Sequence, residues 1–308
     1  MVLKCPEKKA MDLTELVDKV GRAVITVGSY KDCVKAREQV ERKSDRDTRP
    51  LRVLILPVYL VSHQIFALKL CSWLMTLFSK SSGFRALFFE VLCMEDSTID
   101  DENQTFLVKL LTKSSITWKA VRRAWIELIV EVAMKNHENK MILSKYFLEN
   151  YKVIMYDFMS DDQEPDVSIA TLSVQIFTVP SVSQHLIESH DALTQLVTFF
   201  LQIFEDEAKY DDNGQLDLTD WLDERQHDYT RCVHVLSDIQ YLLSAEPTQW
   251  TTKMRKNFIQ GSKALIDLIG KLQHADPQAR ATEAHIEHES RNWYCVFNIA
   301  SKFSKRIC

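Results

Sequence analysis

The chain has 308 residues, of which 46% are apolar and 26% charged. These are ordinary values for a packed globular protein and exclude wholesale disorder. The formal net charge is −5 and the pI about 6.0, so there is no basic footprint for nucleic acid. Glycine and proline number only 6 and 7; sheet-rich folds need many turns, and turns draw on both, so long helices are expected.

Residues 1–57 differ in texture from the rest. Gly21 to Gly28, GRAVITVG, is rich in β-branched residues and bounded by glycines, as a short strand would be. Tyr30 to Lys43 carries Val34, Ala36 and Val40 among charges and reads as a helix. The polar stretch Lys43 to Pro50 reads as a loop, and Leu51 to Leu56, LRVLIL, as a second strand. A β–α–β of this size is too small to bury a core alone. From about Val58 onward the pattern is helical. Val53 to Phe78 is the most apolar stretch, but Ser62, His63, Gln64 and Lys69 interrupt it. A membrane span tolerates almost no such interruptions, so a buried helix is expected there.

Further along, Phe106, Leu107, Leu110 and Leu111 suggest a short helix, and Trp118, Ala120, Val121, Trp125, Leu128 and Val132 another. Leu143, Phe147, Tyr151, Ile154 and Phe158 step by three and four, placing them on one helix face. Val197 to Phe204 is apolar nearly all round and predicts an internal helix. Met254, Phe258, Leu265, Leu268 and Leu272 form another stripe, with Gly261 at one step. Breaks are expected at Asp96–Asn103, Asp161–Asp166, Asp211–Gly214, Ala245–Thr248 and Ala275–Gln278. No fixed repeat period is present. The expected fold is mainly α, an irregular helical array of armadillo-like character over 58–308, preceded by the short βαβ of 1–57.

Seven cysteines, Cys5, Cys33, Cys71, Cys93, Cys232, Cys295 and Cys308, are odd in number and scattered. They read as reduced thiols of the cytosol or nucleus, and the polar Met1–Lys9 is no secretory signal. No cysteine pair has the two-residue spacing of a structural zinc site, and no glycine-rich phosphate loop occurs. His285 and His288, with Glu283, Glu287 and Glu289 beside them, would share a helix face and are the best metal candidates. The His-Glu-x-x-His order of metalloproteases is absent, and solvated histidines are the plainer reading. Cys71 and His63 are eight residues apart, about 12 Å along a helix, too far for a nucleophile and its base. Cys232 and His234 would face different ways. Asp161, Asp162 and Glu164 read as a solvated loop, and Arg122 and Arg123 as flanks of a buried tryptophan face. No catalytic, cofactor-binding or metal-ligating residue is assigned.

Three stretches resemble the UBR-type N-recognin ubiquitin ligases. The first is Ser168-Ile-Ala-Thr-Leu-Ser-Val-Gln-Ile-Phe-Thr-Val-Pro-Ser181, followed by His185-Leu-Ile-Glu188, with Asp161-Asp162 ahead of it. The second is Pro247-Thr248-x-Trp250 with Arg255, Phe258 and Gly261, leading to His285-Ile286-Glu287 and Trp293. The third is His63-Gln64, Leu68-Lys69-Leu70, Ser72-Trp73-Leu74 and Gly83-Phe84-Arg85. They run in the family's order over most of residues 20–295. Residues 1–57 resemble the second half of a ClpS-like domain, through Gly21-Arg22-Ala23-Val24, Cys33 to Val40 and Pro50-Leu51. In the family that domain recognises bulky hydrophobic N-terminal residues; much of its pocket is expected in the half without a counterpart here, so no binding residue is carried over.

The resemblance implies part of a RING-type ligase of the N-degron pathway, this chain acting as helical scaffold. It implies a ubiquitin-conjugating enzyme and N-degron substrates as partners of the full ligase, with neither nucleic acid nor membrane among them. Zinc is expected only in the family's UBR box and RING, for which no Cys/His cluster here can stand. The alternatives are a stand-alone helical binding module without ligase activity and, more remotely, a metal-assisted hydrolase built on His285 and His288. If the ClpS-like part is split, its strand edges and apolar surface predict self-association through residues 20–57.

Overall fold

The computed structural model describes residues 6–20, 23–44, 53–95, 104–113, 117–160, 168–207, 209–210, 216–217, 226–244, 250–273 and 294–305. Every expected break, and the His285–Glu289 cluster, lies wholly or mostly outside these residues.

The first helix, α1 (Glu7–Val20), is one the sequence reading did not anticipate, whereas α2 (Tyr30–Ser44) falls where a helix was expected. The described parts of the two segments read as strands are non-helical and alternate in exposure: Ala23 and Ile25 are half-buried and Val24 and Thr26 exposed, and Val53 and Ile55 are half-buried and Leu54 and Leu56 exposed. Neither enters a ladder among the described residues. A strand needs a partner for its backbone groups, and Val40 is the only side chain buried among the described residues of 6–57.

Pro57 immediately precedes α3 (Val58–Lys80), which breaks at the extended Ser81 into α4 (Ser82–Leu92). α3 buries only Cys71, Leu74 and Phe78, and the Phe78 and Phe88 rings meet at 5.4 Å. The expectation that this apolar helix is buried is therefore corrected. It is long and apolar enough to cross a membrane by length and composition, but one face packs on protein and the other is exposed.

Thr105 caps α5 (Phe106–Thr112) by accepting the Val108 N–H at 3.3 Å. In front of α6 (Lys119–Ile129), the Trp118 N–H donates to Gln64 Oε1 of α3 at 3.0 Å. The chain then makes a π-helical turn, Val130–Met134, before α7 (His137–Glu149), capped by Asn136. The stripe from Leu143 to Phe158 is buried throughout but divided between α7 and α8 (Tyr151–Ser160). At the junction Asn150 leaves helical geometry (φ −106°, ψ 8°) and its side chain donates to the Tyr146 carbonyl at 2.9 Å.

A 3-10 turn (Ile169–Thr171) leads into α9 (Leu172–Phe177), and Pro180 opens α10 (Pro180–His190) at a position where its missing N–H costs nothing. The left-handed Asp191 (φ 54°) turns the chain directly into α11 (Ala192–Glu207). Val197, Phe199, Phe200 and Ile203 are buried, as an internal helix requires. A short antiparallel pair, β1 (Lys209–Tyr210) with β2 (Leu216–Asp217), flanks the Asp211–Gly214 turn signal.

Next come α12 (Gln226–Ser244), α13 (Thr252–Gln273) and α14, residues 294–305. α12 packs against α8, α9, α10 and α11, and α13 against α10 and α11. One continuous core runs from Cys71 to Phe303. Gly261 is small because α14 and α11 approach it closely: a Cβ there would stand 3.1 Å from Phe303 Cζ and 3.5 Å from Leu193 Cβ.

Candidate functional site

Of the residues singled out for chemistry, His285, His288, Glu283, Glu287, Glu289, Asp161, Asp162 and Glu164 lie outside the described residues. Cys71 is 1% exposed, and burial pushes its thiol up to about 11, leaving it protonated and unreactive at neutral pH. His63 is exposed and stacks edge-on against Tyr59 at 5.8 Å. Arg122 is buried and Arg123 exposed, while Trp118 and Trp125 are only half-buried. The expected buried tryptophan face is thus centred on an arginine instead.

The polar groups that the fold does bring together are Tyr151, Ser173, His234 and Asp238. Tyr151 opens α8, Ser173 sits in α9, and His234 and Asp238 lie four residues apart on α12, hence on one face. Tyr151 Oη donates to Asp238 Oδ2 at 2.7 Å, and Ser173 Oγ lies 3.3 Å from His234 Nε2. Ser173 and Asp238 are fully enclosed. Enclosure pushes the Asp238 carboxyl up to about 7, with the neighbouring Ser173 and Tyr151 hydroxyls opposing part of that rise. Tyr151 is held well above the ordinary phenol range, first by burial and then by the Asp238 charge. Burial lowers His234, against a hydrogen bond to the Ala170 backbone, and the Phe158 ring lies 5.2 Å from the imidazole.

Serine, histidine and aspartate side by side invite comparison with a hydrolytic triad. The order is wrong for one: the carboxyl is bonded to the tyrosine and not to the imidazole it would have to orient. With Asp238 and Ser173 shut off from solvent, no substrate carbonyl reaches the hydroxyl. The arrangement ties α8, α9 and α12 together through the Tyr151–Asp238 and Ser173–His234 contacts, while Asp238 Oδ1 is buried with no hydrogen-bond partner among the described residues. The sequence reading weighed His234 only as a partner for Cys232, whose side chain is outside the described residues. Asp238 was missed, although an acid among Val235, Leu236, Ile239, Leu242 and Leu243 was a visible signal of a buried polar group.

A second polar tie fixes α4. Arg85 Nη1 meets Glu131 Oε1 in the π-helical turn at 2.9 Å, and Lys135 Nζ takes the other oxygen. The hydrogen bond from Lys135, with Arg85 adding its charge, lowers the Glu131 carboxyl despite partial burial. Among the described residues no group of three or more His, Cys, Asp or Glu side chains is placed to hold a metal.

A closely packed helical array whose polar clusters are structural defines a scaffold class of protein. The family model for the UBR1/2/3-like ARM repeat domain matches residues 106–308, and that for the ATP-dependent Clp protease adaptor protein ClpS matches residues 1–54. The chain belongs to the UBR1/2/3-like ARM repeat family, with a ClpS-like segment ahead of it. Its relatives include E3 ubiquitin-protein ligase UBR2 of Homo sapiens, 29% identical over 306 residues, covering 99% of this chain and 17% of that protein. E3 ubiquitin-protein ligase UBR1 of Drosophila melanogaster is 29% identical over 316 residues, with 99% and 17% covered. E3 ubiquitin-protein ligase UBR1 of Homo sapiens is 30% identical over 286 residues, with 92% and 16% covered. The chain thus spans 16 to 17% of the length of these relatives.

Proposed function

We propose that this chain is the helical scaffold of a RING-type ubiquitin ligase that recognises N-degron substrates. The observation that carries the reading is the single core running through α3–α14, in a chain that matches the ARM repeat family over 106–308. Such a body holds a bound substrate and a bound ubiquitin-conjugating enzyme at a set separation. Its contribution is positional: it converts an encounter between two partners into an oriented one. Among the described residues no group of three or more His, Cys, Asp or Glu side chains is placed to hold zinc; in this reading zinc belongs to the UBR box and RING of the ligase. The ClpS-like match at residues 1–54 supports a substrate-facing role at that end. The cytosol or nucleus is the proposed location, in keeping with the scattered cysteines.

The test is immunoprecipitation of the native protein with an antibody against residues 140–270. The precipitate is supplied with ubiquitin, activating and conjugating enzymes, and reporters differing only in their N-terminal residue. Ubiquitin chains on the reporters with N-terminal Arg or Leu, and none on the Met reporter, are expected. A precipitate at 35.8 kDa without transfer activity would overturn the ligase reading in favour of a stand-alone helical binding module.

A further inference from the structure

Exposed large apolar side chains occur along much of the chain, but on one element the exposed aromatics fall at a regular spacing. On α3, Tyr59, Phe66 and Trp73 are 61%, 65% and 57% exposed. They recur every seven residues, so they form a single row about 21 Å long at ~1.5 Å per residue. Val58 and Ile65, also exposed, flank it. The opposite face of the helix is occupied by its packing on α4 and α6, so the row is not a spare part of the core. Single exposed apolar residues need no explanation, but a continuous aromatic row does.

The charges that α3 itself carries are of one sign. α3 has no Asp or Glu among its 23 residues. Lys69 and Lys80, both exposed, lie in the row beside the aromatics, and this in a chain of net charge −5. A second copy is a poor occupant, because α3 against α3 would set lysines near lysines with no carboxylate to meet them. A lipid surface is also a poor fit, because two lysines fall far short of the basic density by which interfacial helices bind. The seven-residue spacing is the one at which a facing helix seats its side chains between those of its partner.

We propose that the exposed face of α3 docks an amphipathic helix of a partner protein that presents apolar residues at heptad spacing flanked by carboxylates. The aromatic row receives the apolar side chains, and Lys69 and Lys80 pair with the flanking acids.

The experiment uses the full chain and two fluorescein-labelled 21-residue synthetic helices, identical in their leucine heptads but flanked by Glu in one and Lys in the other. Fluorescence anisotropy is expected to show the Glu helix binding about tenfold more tightly, through the pairs it gains with the two lysines and the like-charge contacts that the Lys helix meets. The double variant Phe66→Ser/Trp73→Ser is expected to weaken it by a similar factor with unchanged thermal melting, since both residues are exposed. Lys69→Glu/Lys80→Glu is expected to reverse the preference. Equal binding of the two helices, or unchanged binding by the serine variant, overturns the proposal. So does a dimer that the serine variant dissolves, which would assign the face to a second copy. Flotation with vesicles of anionic phospholipid, lost in the serine variant, would assign it to a membrane surface.

Discussion

Replacing Asp238 by asparagine isolates the proton that the buried cluster holds. The Asp238 carboxyl stands at about 7 in the folded protein against an ordinary 3.8. Between these values the folded state keeps a proton that the unfolded state gives up, so stability is fully present below about 3.8 and is lost as pH rises towards 7. At about 1.4 kcal/mol for each pH unit, the loss approaches ~4 kcal/mol, an upper figure for a group this enclosed. The asparagine side chain does not titrate, and its oxygen still accepts from Tyr151. The lowered His234 works in the opposite direction, losing stability as pH falls through its unfolded value, but it is present in both proteins and cancels in the difference. Urea unfolding followed by circular dichroism from pH 4.5 to 7.5 is the assay. The stability of the Asp238→Asn variant relative to the parent is expected to rise steadily with pH across this window. A flat difference, or a variant that loses ground as pH rises, would show that Asp238 is charged in the folded protein and refute the reasoning.

Three further substitutions or probes read other parts of the structure. Asn257 Nδ2 donates to the Ile187 carbonyl at 2.6 Å, one of the last four of α10; Asn257→Ala leaves that acceptor unmet and is expected to cost about 1–3 kcal/mol in urea unfolding. Gly261→Leu drives a side chain into Phe303 and Leu193 and is expected to cost about 1–3 kcal/mol or more, whereas in Gly261→Ala a helix-propensity gain of roughly 1 kcal/mol offsets a smaller clash. Cys71, buried and with its thiol raised to about 11, should resist iodoacetamide at pH 8 in the folded chain and react in urea, as peptide mapping by mass spectrometry would record.

Where the deciding forces were local, the sequence was readable. The stripes at 118–132 and 143–158 and the apolar run at 197–204 each report a helical period, and all three fall in helices. The interruption at Asn150 was not readable: the three-and-four spacing continues through it, and the break shows only in the Asn150 backbone angles and in its side-chain bond to the Tyr146 carbonyl. The cluster on α12 was hidden for a different reason. Tyr151 and Asp238 are 87 residues apart, and nothing local says that α8 and α12 are neighbours. A charged-type residue in an apolar stripe marks a buried polar contact but not its partner.

The helix α3 was misread because apolar content measures how much surface a segment must remove from water, not which molecule removes it. Its composition led to the expectation of burial inside this chain, yet one face carries Cys71, Leu74 and Phe78 into the core while Tyr59, Phe66 and Trp73 remain outside. The two faces answer to different constraints. The inner one is matched by α4 and α6 and stabilised by the Gln64 bond to Trp118. The outer one is aromatic, regular and free of carboxylates. An outer face with those properties makes sense where association, not folding, completes the burial, as proposed for α3.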